Sequence, residues 1–358
     1  MSLPFPKTTR AAVLYAAKKP LRVEALKIPA LRPGQVLVQI AVAGFCRSQL
    51  NEILGLKGAD AHLPHTLGHE GAGRVVAAGK GVRKVKEGDR VVLTWIRGAG
   101  RDVPCARYQS TGGRFVNSGA VSTFLEYAVV SENRVVCIPS QIPFKEAALL
   151  GCAVLTGAGM VLRTLKMKPR QTLAVFGTGG VGLSVVAAAR LAGARAIAAV
   201  DKSPQNLVLA RRLGATHTHL LNKAENSLLG IMKVTSGRGF DYAVEASGDT
   251  RAMENAFSSV RDHGGICLIA GNPAFGRTLR IDPFFLIQGK KILGSWGGDA
   301  RPDEDVPRYA ALYLKKRLNL AALAGAEYPL DRINDAVTAF QKGRPGRILI
   351  RMPLFAEV

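Results

Sequence analysis

Two sets of residues in this chain have the types and spacing to do chemistry. The first is Gly177-Thr178-Gly179-Gly180-Val181-Gly182, which follows the apolar run Leu173-Ala174-Val175-Phe176 and opens a stretch rich in Val and Ala. A glycine-rich turn between a strand and a helix cradles the pyrophosphate of a dinucleotide. Gly177 permits the tight turn, Gly179 lets backbone N–H groups approach the phosphates, and Gly182 lets helix and strand pack closely. Gly180 and Val181 complete the cradle at a helix N-terminus, whose partial positive charge favours the diphosphate. Asp201 follows the next strand, where an acid accepts hydrogen bonds from ribose hydroxyls. A carboxylate there repels a 2′-phosphate, which favours NAD over NADP, and the adjacent Lys202 pulls the other way. The second set is Cys46, His69 and Cys152. Thiolate and imidazole suit zinc, and three protein ligands leave a fourth position open for water or a substrate oxygen. Spacing alone leaves other readings open, since an isolated Cys is usually a small buried hydrophobe and an isolated His a hydrogen-bonded or surface group.

The elements that must position these residues divide the chain in two. Ala11 to Tyr15, Leu21 to Ala25 and Gln35 to Val42 read as short strands split by Pro and Gly turns, continued by Gly71 to Ala78, Arg90 to Leu93, Phe124 to Val130 and Arg134 to Ile138. From Ala153 strands and helices alternate. Gln171 to Phe176, Ala196 to Val200, Asp241 to Glu245 and Gly265 to Ile269 read as strands. Val181 to Ala192, Gln205 to Leu213 and Arg251 to Val260 read as helices. That alternation predicts an α/β fold with a doubly wound parallel sheet of Rossmann type. A length of 358 residues also exceeds one comfortable core. The expected domains are a β-rich one over 1–153, completed by 299–358, and a cofactor-binding one over 154–298.

Composition narrows the class. A hydrophobic fraction of 47% with 21% charged residues is that of an ordinary globular protein. Met1 to Ala17 carries Lys7 and Arg10 and no continuous apolar core, and Leu183 to Val200, the longest apolar candidate, is broken by Arg190 and Arg195; a cytoplasmic protein without membrane spans is expected. Five widely spaced cysteines make a poor disulfide framework. The formal net charge of +23 is the unusual feature. It raises the local concentration of anions; the first reading is a basic, solvated surface with no dedicated partner, and the second an anionic handle on a small substrate. A dedicated nucleic-acid interface is not expected, because no recognised motif with stacking aromatics accompanies the charge. His217 and His219 read as surface groups, Cys105 as a loop thiol, and Cys137 and Cys267 as core residues.

Taken together these motifs resemble the medium-chain, zinc-dependent alcohol dehydrogenase family. The similarity runs from Pro33-Gly34-Gln35-Val36-Leu37-Val38 through Gly68-His69-Glu70 and Gly88-Asp89-Arg90-Val91, then the glycine cradle. It continues to Val244-Glu245-Ala246-Ser247-Gly248, Gly297-Gly298 and Ile333-Asn334-Asp335-Ala336. The resemblance implies a GroES-like catalytic domain beside the Rossmann domain, with Cys46, His69 and Cys152 holding one catalytic zinc. It implies Glu70 as an alternative ligand behind the metal and Ser48 as the hydroxyl that bonds the substrate oxygen and starts the proton relay. Arg47 and Arg347 would face the cofactor pyrophosphate, Thr156 would pack near the nicotinamide, and Trp95 and Trp296 would wall the pocket. The partner is then a small alcohol or its carbonyl, the cofactor NAD, and the assembly a homodimer or homotetramer paired near Lys291 to Trp296.

Three departures from the family pattern stand out. The segment after Gly88-Asp89 holds only Cys105, so no structural zinc is expected. Asn51 replaces the usual relay histidine and cannot change charge near neutral pH, leaving water, His62 or His65 as proton exits. Gln49 replaces an aspartate that polarises the histidine ligand. Two competing readings remain: a zinc-free quinone or enone reductase of the same superfamily, and a basic nucleic-acid-binding protein on an inherited fold.

Overall fold

Runs of β-branched and small apolar residues, cut by glycine and proline, give a strand-dominated first half. In the computed structural model, which describes residues 6–221, 227–353 and 355, the chain forms two compact units. The first runs up to Cys152 and takes in Arg301–Lys315 and the chain from Ala324 onward; the second is Ala153–Ala300 with Lys316–Leu323. Residues 1–5 of the Met1 to Ala17 stretch lie outside the described residues.

The first unit holds β1 (Thr8–Leu14), β2 (Arg22–Lys27), β3 (Gln35–Gly44), α1 (Arg47–Ile53), β4 (His65–Thr66), β5 (Glu70–Ala78), β6 (Arg90–Thr94), β7 (Arg107–Ser110), β8 (Phe115–Asn117), β9 (Tyr127–Ser131), β10 (Val135–Cys137) and α2 (Phe144–Leu149). The second holds α3 (Ala153–Gly159), β11 (Thr172–Phe176), α4 (Gly180–Leu191), β12 (Ala196–Asp201), α5 (Pro204–Leu213), β13 (His217–Leu220), α6 (Ser227–Met232), β14 (Tyr242–Glu245), α7 (Thr250–Ser259), β15 (Ile266–Ile269), α8 (Pro283–Ile287) and β16 (Lys291–Gly294). The chain then returns to the first unit with α9 (Pro302–Leu314), β17 (Ala324–Pro329), α10 (Ile333–Gln341) and β18 (Arg347–Arg351).

In the first unit β1-β2-β7-β8-β4 close into a barrel, and a larger sheet runs β10-β6-β5-β3-β18-β17, with β9 also paired to β3. Register in that sheet sets up the chemistry. Ala43 of β3 faces Gly71 of β5, and Gly44 faces Leu349 of β18. The start of β5, the end of β3 and the start of β18 are therefore neighbours, although they lie far apart in sequence. Phe45 is fully buried, stacked on Phe124 at 5.4 Å and against Phe340 at 5.3 Å, and anchors the turn that presents Cys46.

In the second unit six parallel strands run in the order β13-β12-β11-β14-β15-β16, the doubly wound arrangement expected from the alternation. Gly177 at the end of β11 has φ +86°, and a side chain there would meet Ser247 Cβ at 2.7 Å and its nitrogen at 2.8 Å. A Cβ on Gly182 would run into the Gly177 carbonyl, whereas one on Gly179 would meet nothing within 4 Å. No helix among the described residues is long and apolar enough to cross a membrane.

Some local expectations change. Only Tyr127–Ser131 of the Phe124 to Val130 run pairs with β3, because Phe124 and Leu125 bond to the barrel strand β1 instead. Cys137, expected in the core, is exposed on the edge strand β10, where its thiol, 3.6 Å from Asp89, is pushed up to about 11 by partial burial and that carboxylate. A strand at a sheet edge leaves one flank uncovered, which local hydrophobicity does not reveal. Cys267 is buried in β15 as expected, and Cys105 is exposed.

The two glycines give a paired test. Gly177→Ala is expected to destabilise the protein by about 1–3 kcal/mol, through positive φ and contact with Ser247, while Gly179→Ala stays within ~1 kcal/mol. Urea denaturation of both variants measures the difference.

Candidate metal and cofactor sites

Three separate segments supply the ligand atoms of Cys46, His69 and Cys152, which all lie within 4.8 Å of one another. Among the described residues this is the one such group of His, Cys, Asp or Glu. Cys46 precedes α1 directly, His69 precedes β5, and Cys152 follows α2. Two glycines make room for this convergence. A Cβ on Gly44 would overlap the Glu70 carboxylate, and one on Gly151 would strike the Leu93 carbonyl and lie 2.9 Å from Glu70 Cβ.

His69 Nε2 lies 3.2 Å from Cys152 Sγ, while its Nδ1 is 2.5 Å from Gln49 Nε2. Gln49 also accepts a hydrogen bond from the Cys46 backbone N–H through Oε1 at 3.2 Å, so one amide ties two of the three ligand-bearing residues together. Cys46 is held well below the usual thiol range, first by the hydrogen bond from Cys152, then by the positive charge of Arg347 and by His69. Cys152 is correspondingly raised by its bond to Cys46 and by burial. A soft S/S/N donor set whose Cys46 sulfur is held toward its thiolate form fits zinc.

Glu70 and Arg347 complete this region. Glu70 Oε1 accepts from Arg347 Nε, with side-chain exposures of 0% and 4%. Burial alone lowers the Arg347 pKa, but the negative charges of Cys46, Glu70 and Cys152 outweigh it and hold the guanidinium protonated. Arg347 is therefore bound to the metal-site carboxylate, a role the sequence did not signal. Its buried Nη2 has no hydrogen-bond partner among the described residues. Arg47 is exposed, and its guanidinium lies 5.1 Å from the Phe340 ring centroid.

The other expected site residues sort as follows. Trp95 packs beside His69 with ring centroids 6.2 Å apart, next to the ligand set. Trp296 belongs to the second unit and is 79% exposed, so it is no core residue. Asn51 is buried one turn after Ser48 on α1. His65, one of the expected proton exits, is instead buried in β4, with Nε2 on Asp60 at 2.8 Å and Nδ1 on the Thr66 carbonyl at 3.1 Å, so both ring nitrogens are engaged. His62 is exposed, as are His217 and, in part, His219 on the edge strand β13. Sequence reasoning also missed Lys57, whose Nζ donates to Ser48 Oγ at 2.7 Å. The flanking Gly55 and Gly58, both with positive φ, are the only local hint of the turn that brings it back.

In the second unit the glycine turn is fastened from below. Asp201 Oδ2 accepts from Thr178 N at 2.6 Å and Thr178 Oγ1 at 2.8 Å, and Oδ1 accepts from Ser203 N at 2.8 Å. Lys202 is ion-paired to Asp249 at 3.0 Å. Thr156 on α3 is buried, and its hydroxyl has no partner among the described residues. An orphaned buried hydroxyl on α3, which packs against α4, fits a polar ligand that completes the site.

Comparison with known proteins agrees with this geometry. Residues 32–140 match the model of the alcohol dehydrogenase GroES-like domain, and residues 180–315 match that of zinc-binding dehydrogenases. A zinc-binding-domain alcohol dehydrogenase from Burkholderia ambifaria is 31% identical with a TM-score of 0.87, covering 97% of this chain and 99% of its own. Benzyl alcohol dehydrogenase from Acinetobacter calcoaceticus is 30% identical with a TM-score of 0.87, covering 97% and 100%. 2R,3R-butanediol dehydrogenase from Bacillus subtilis is 27% identical with a TM-score of 0.76, covering 96% and 99%. The chain belongs to the zinc-binding alcohol dehydrogenase family of the medium-chain dehydrogenase/reductase superfamily. It is an alcohol dehydrogenase-like oxidoreductase with a Rossmann-like sheet and a GroES-like domain.

The buried pair yields a stability test. Glu70→Gln removes the buried carboxylate that Arg347 Nε bonds and is expected to cost about 3–5 kcal/mol. The double variant Glu70→Leu/Arg347→Met is expected to recover most of that loss. Urea unfolding of the single and double variants reads both numbers.

Proposed function

We propose that this protein is an NAD-dependent zinc alcohol dehydrogenase, interconverting an alcohol and its aldehyde or ketone. The convergence of Cys46, His69 and Cys152 within 4.8 Å carries the reading. When bound, zinc supplies Lewis-acid polarisation of the substrate carbon–oxygen bond, and the nicotinamide accepts or donates the hydride. Cys46, His69 and Cys152 hold the metal, with Glu70 as an alternative ligand and Gln49 orienting the His69 ring. Ser48 bonds the substrate oxygen and moves its proton, and Asn51 is buried one turn further along α1. Trp95 beside His69 favours an apolar or ring-bearing substrate. The charge of +23 favours an anionic handle on it.

For the cofactor, Gly177, Gly179, Gly180, Val181 and Gly182 form the pyrophosphate cradle. Thr156 offers its unpartnered hydroxyl to the nicotinamide end. Asp201 keeps lone-pair capacity on Oδ1 for a ribose hydroxyl. Lys202 is engaged by Asp249 at 3.0 Å, and the Asp201 carboxylate itself repels a 2′-phosphate, which supports NAD over NADP. The two units would act as catalytic and cofactor-binding domains, and the protein as a cytoplasmic homodimer or homotetramer. β16, the exposed edge of the six-stranded sheet with Leu293 and Trp296 uncovered, supports pairing through that strand.

Elemental analysis is expected to find about one zinc per chain, lost in Cys46→Ser together with NAD-linked oxidation of benzyl alcohol, ethanol or cyclohexanol. Metal-free protein after zinc-replete expression, with the variant unchanged, would move the assignment to the zinc-free quinone or enone reductases.

A further inference from the structure

We propose that Lys57 is the outer member of the proton relay, setting the polarity of the Ser48 hydroxyl and resupplying its proton in carbonyl reduction. The inference rests on the dehydrogenase reading above. It fills the gap left where Asn51 stands in place of a titratable histidine.

The local fold creates the contact. α1 ends at Ile53, Gly55 adopts φ +65°, and the Leu56 N–H donates to the Asn51 carbonyl at 2.7 Å. The chain therefore doubles back along the helix and sets Lys57 beside α1. Ser48 and Glu52 are four residues apart and share one helix face. Lys57 Nζ bridges them, donating to Ser48 Oγ at 2.7 Å and to the Glu52 carboxylate. The Lys57 side chain is 41% exposed, so its ammonium has access to solvent while Ser48 is half-buried. The other charged groups nearby are accounted for. Lys18 lies across the same turn, with its Cε 3.9 Å from where a Gly55 Cβ would sit, and the Asp60 carboxylate is bonded to His65 and to the His62 backbone.

An ammonium can only donate hydrogen bonds. Ser48 Oγ must therefore accept from Lys57, which leaves its own hydrogen as the one available to a substrate oxygen. A hydroxyl fixed as a donor suits an oxygen that is gaining negative charge, as in reduction. As a hydride reaches the carbonyl carbon, the C=O π bond breaks and the substrate oxygen takes the Ser48 proton. Ser48 Oγ takes a proton from Lys57 Nζ, and Lys57 recovers one from water. The sum is one carbonyl, one hydride and one proton giving one alcohol. Oxidation runs the same path backwards and needs Lys57 neutral, so the two directions depend on pH in opposite senses. Reduction falls, and oxidation rises, with increasing pH.

The test uses the zinc-loaded full chain with NADH and benzaldehyde, acetaldehyde or cyclohexanone, and the reverse reactions with NAD, between pH 6 and 10.5. Lys57→Met is expected to lower kcat for reduction about 10–100-fold near neutral pH and to flatten both alkaline limbs, with zinc content, NADH binding and melting temperature unchanged. Lys57→Arg keeps the donor but not a proton it can release; it is expected to leave KM at the parent value without restoring the pH dependence. A zinc-loaded, active enzyme whose Lys57→Met profiles overlay the parent within twofold, while Ser48→Ala is impaired, overturns this inference alone. A chain that neither binds zinc nor reduces any of the carbonyls overturns the dehydrogenase reading and this inference with it.

Discussion

Two cysteine sulfurs and a carboxylate lie close together in the first unit, and a guanidinium lies among them. Arg347 answers the charges of Cys46, Glu70 and Cys152 at once, and its ion pair with Glu70 is almost fully dry. Like charges this close would otherwise protonate, and a protonated thiol is a poor metal ligand. The pair also joins the start of β5 to the start of β18, so the same interaction that conditions the ligands locks the sheet carrying them. Gly44 and Gly151 belong to this constraint, because a side chain at Gly44 would overlap the Glu70 carboxylate and one at Gly151 would strike the Leu93 carbonyl and crowd Glu70 Cβ.

The second unit rests on a comparable economy. Its cradle is a backbone feature, and a backbone turn with positive φ needs something to hold it open for a ligand. Asp201 does so through both the N–H and the hydroxyl of Thr178, so the acid proposed to meet a ribose is also the strut under the pyrophosphate turn. Glu245 does similar work one strand away, accepting from Ser247 N and Oγ and Gly248 N to shape the loop against which Gly177 packs. Burial pushes the Glu245 carboxyl up, and those donors pull it back. Two acids at the ends of the parallel strands on either side of β11 thus preorganise the loops of the cradle.

Where this chain departs from the family pattern, it does so with neutral or displaced groups. Gln49 supports His69 with an amide, which orients the ring without the added basicity that a carboxylate partner supplies. The relay histidine is absent, and a cation stands beside Ser48 instead, brought from outside the helix by a glycine turn. These choices leave the acid–base character of the region set by Arg347 and Lys57, both from other segments.

The sequence by itself determined the period and order of the elements, and with them the parallel sheet, the glycine turn and Asp201. Each depends on residues adjacent or nearly adjacent in the chain, where backbone sterics and apolar alternation act directly. It also marked Cys46, His69 and Cys152 as ligand types, though only the family resemblance made them a set. Tertiary structure alone decided that Glu70 meets Arg347, 277 positions away, that Lys57 reaches Ser48, that His65 is buried, and that Cys137 and Trp296 are exposed. The physical reason is common to all five. Burial and charge pairing are properties of which segments the sheet registers and turns bring together, and no local pattern encodes the partner across that distance.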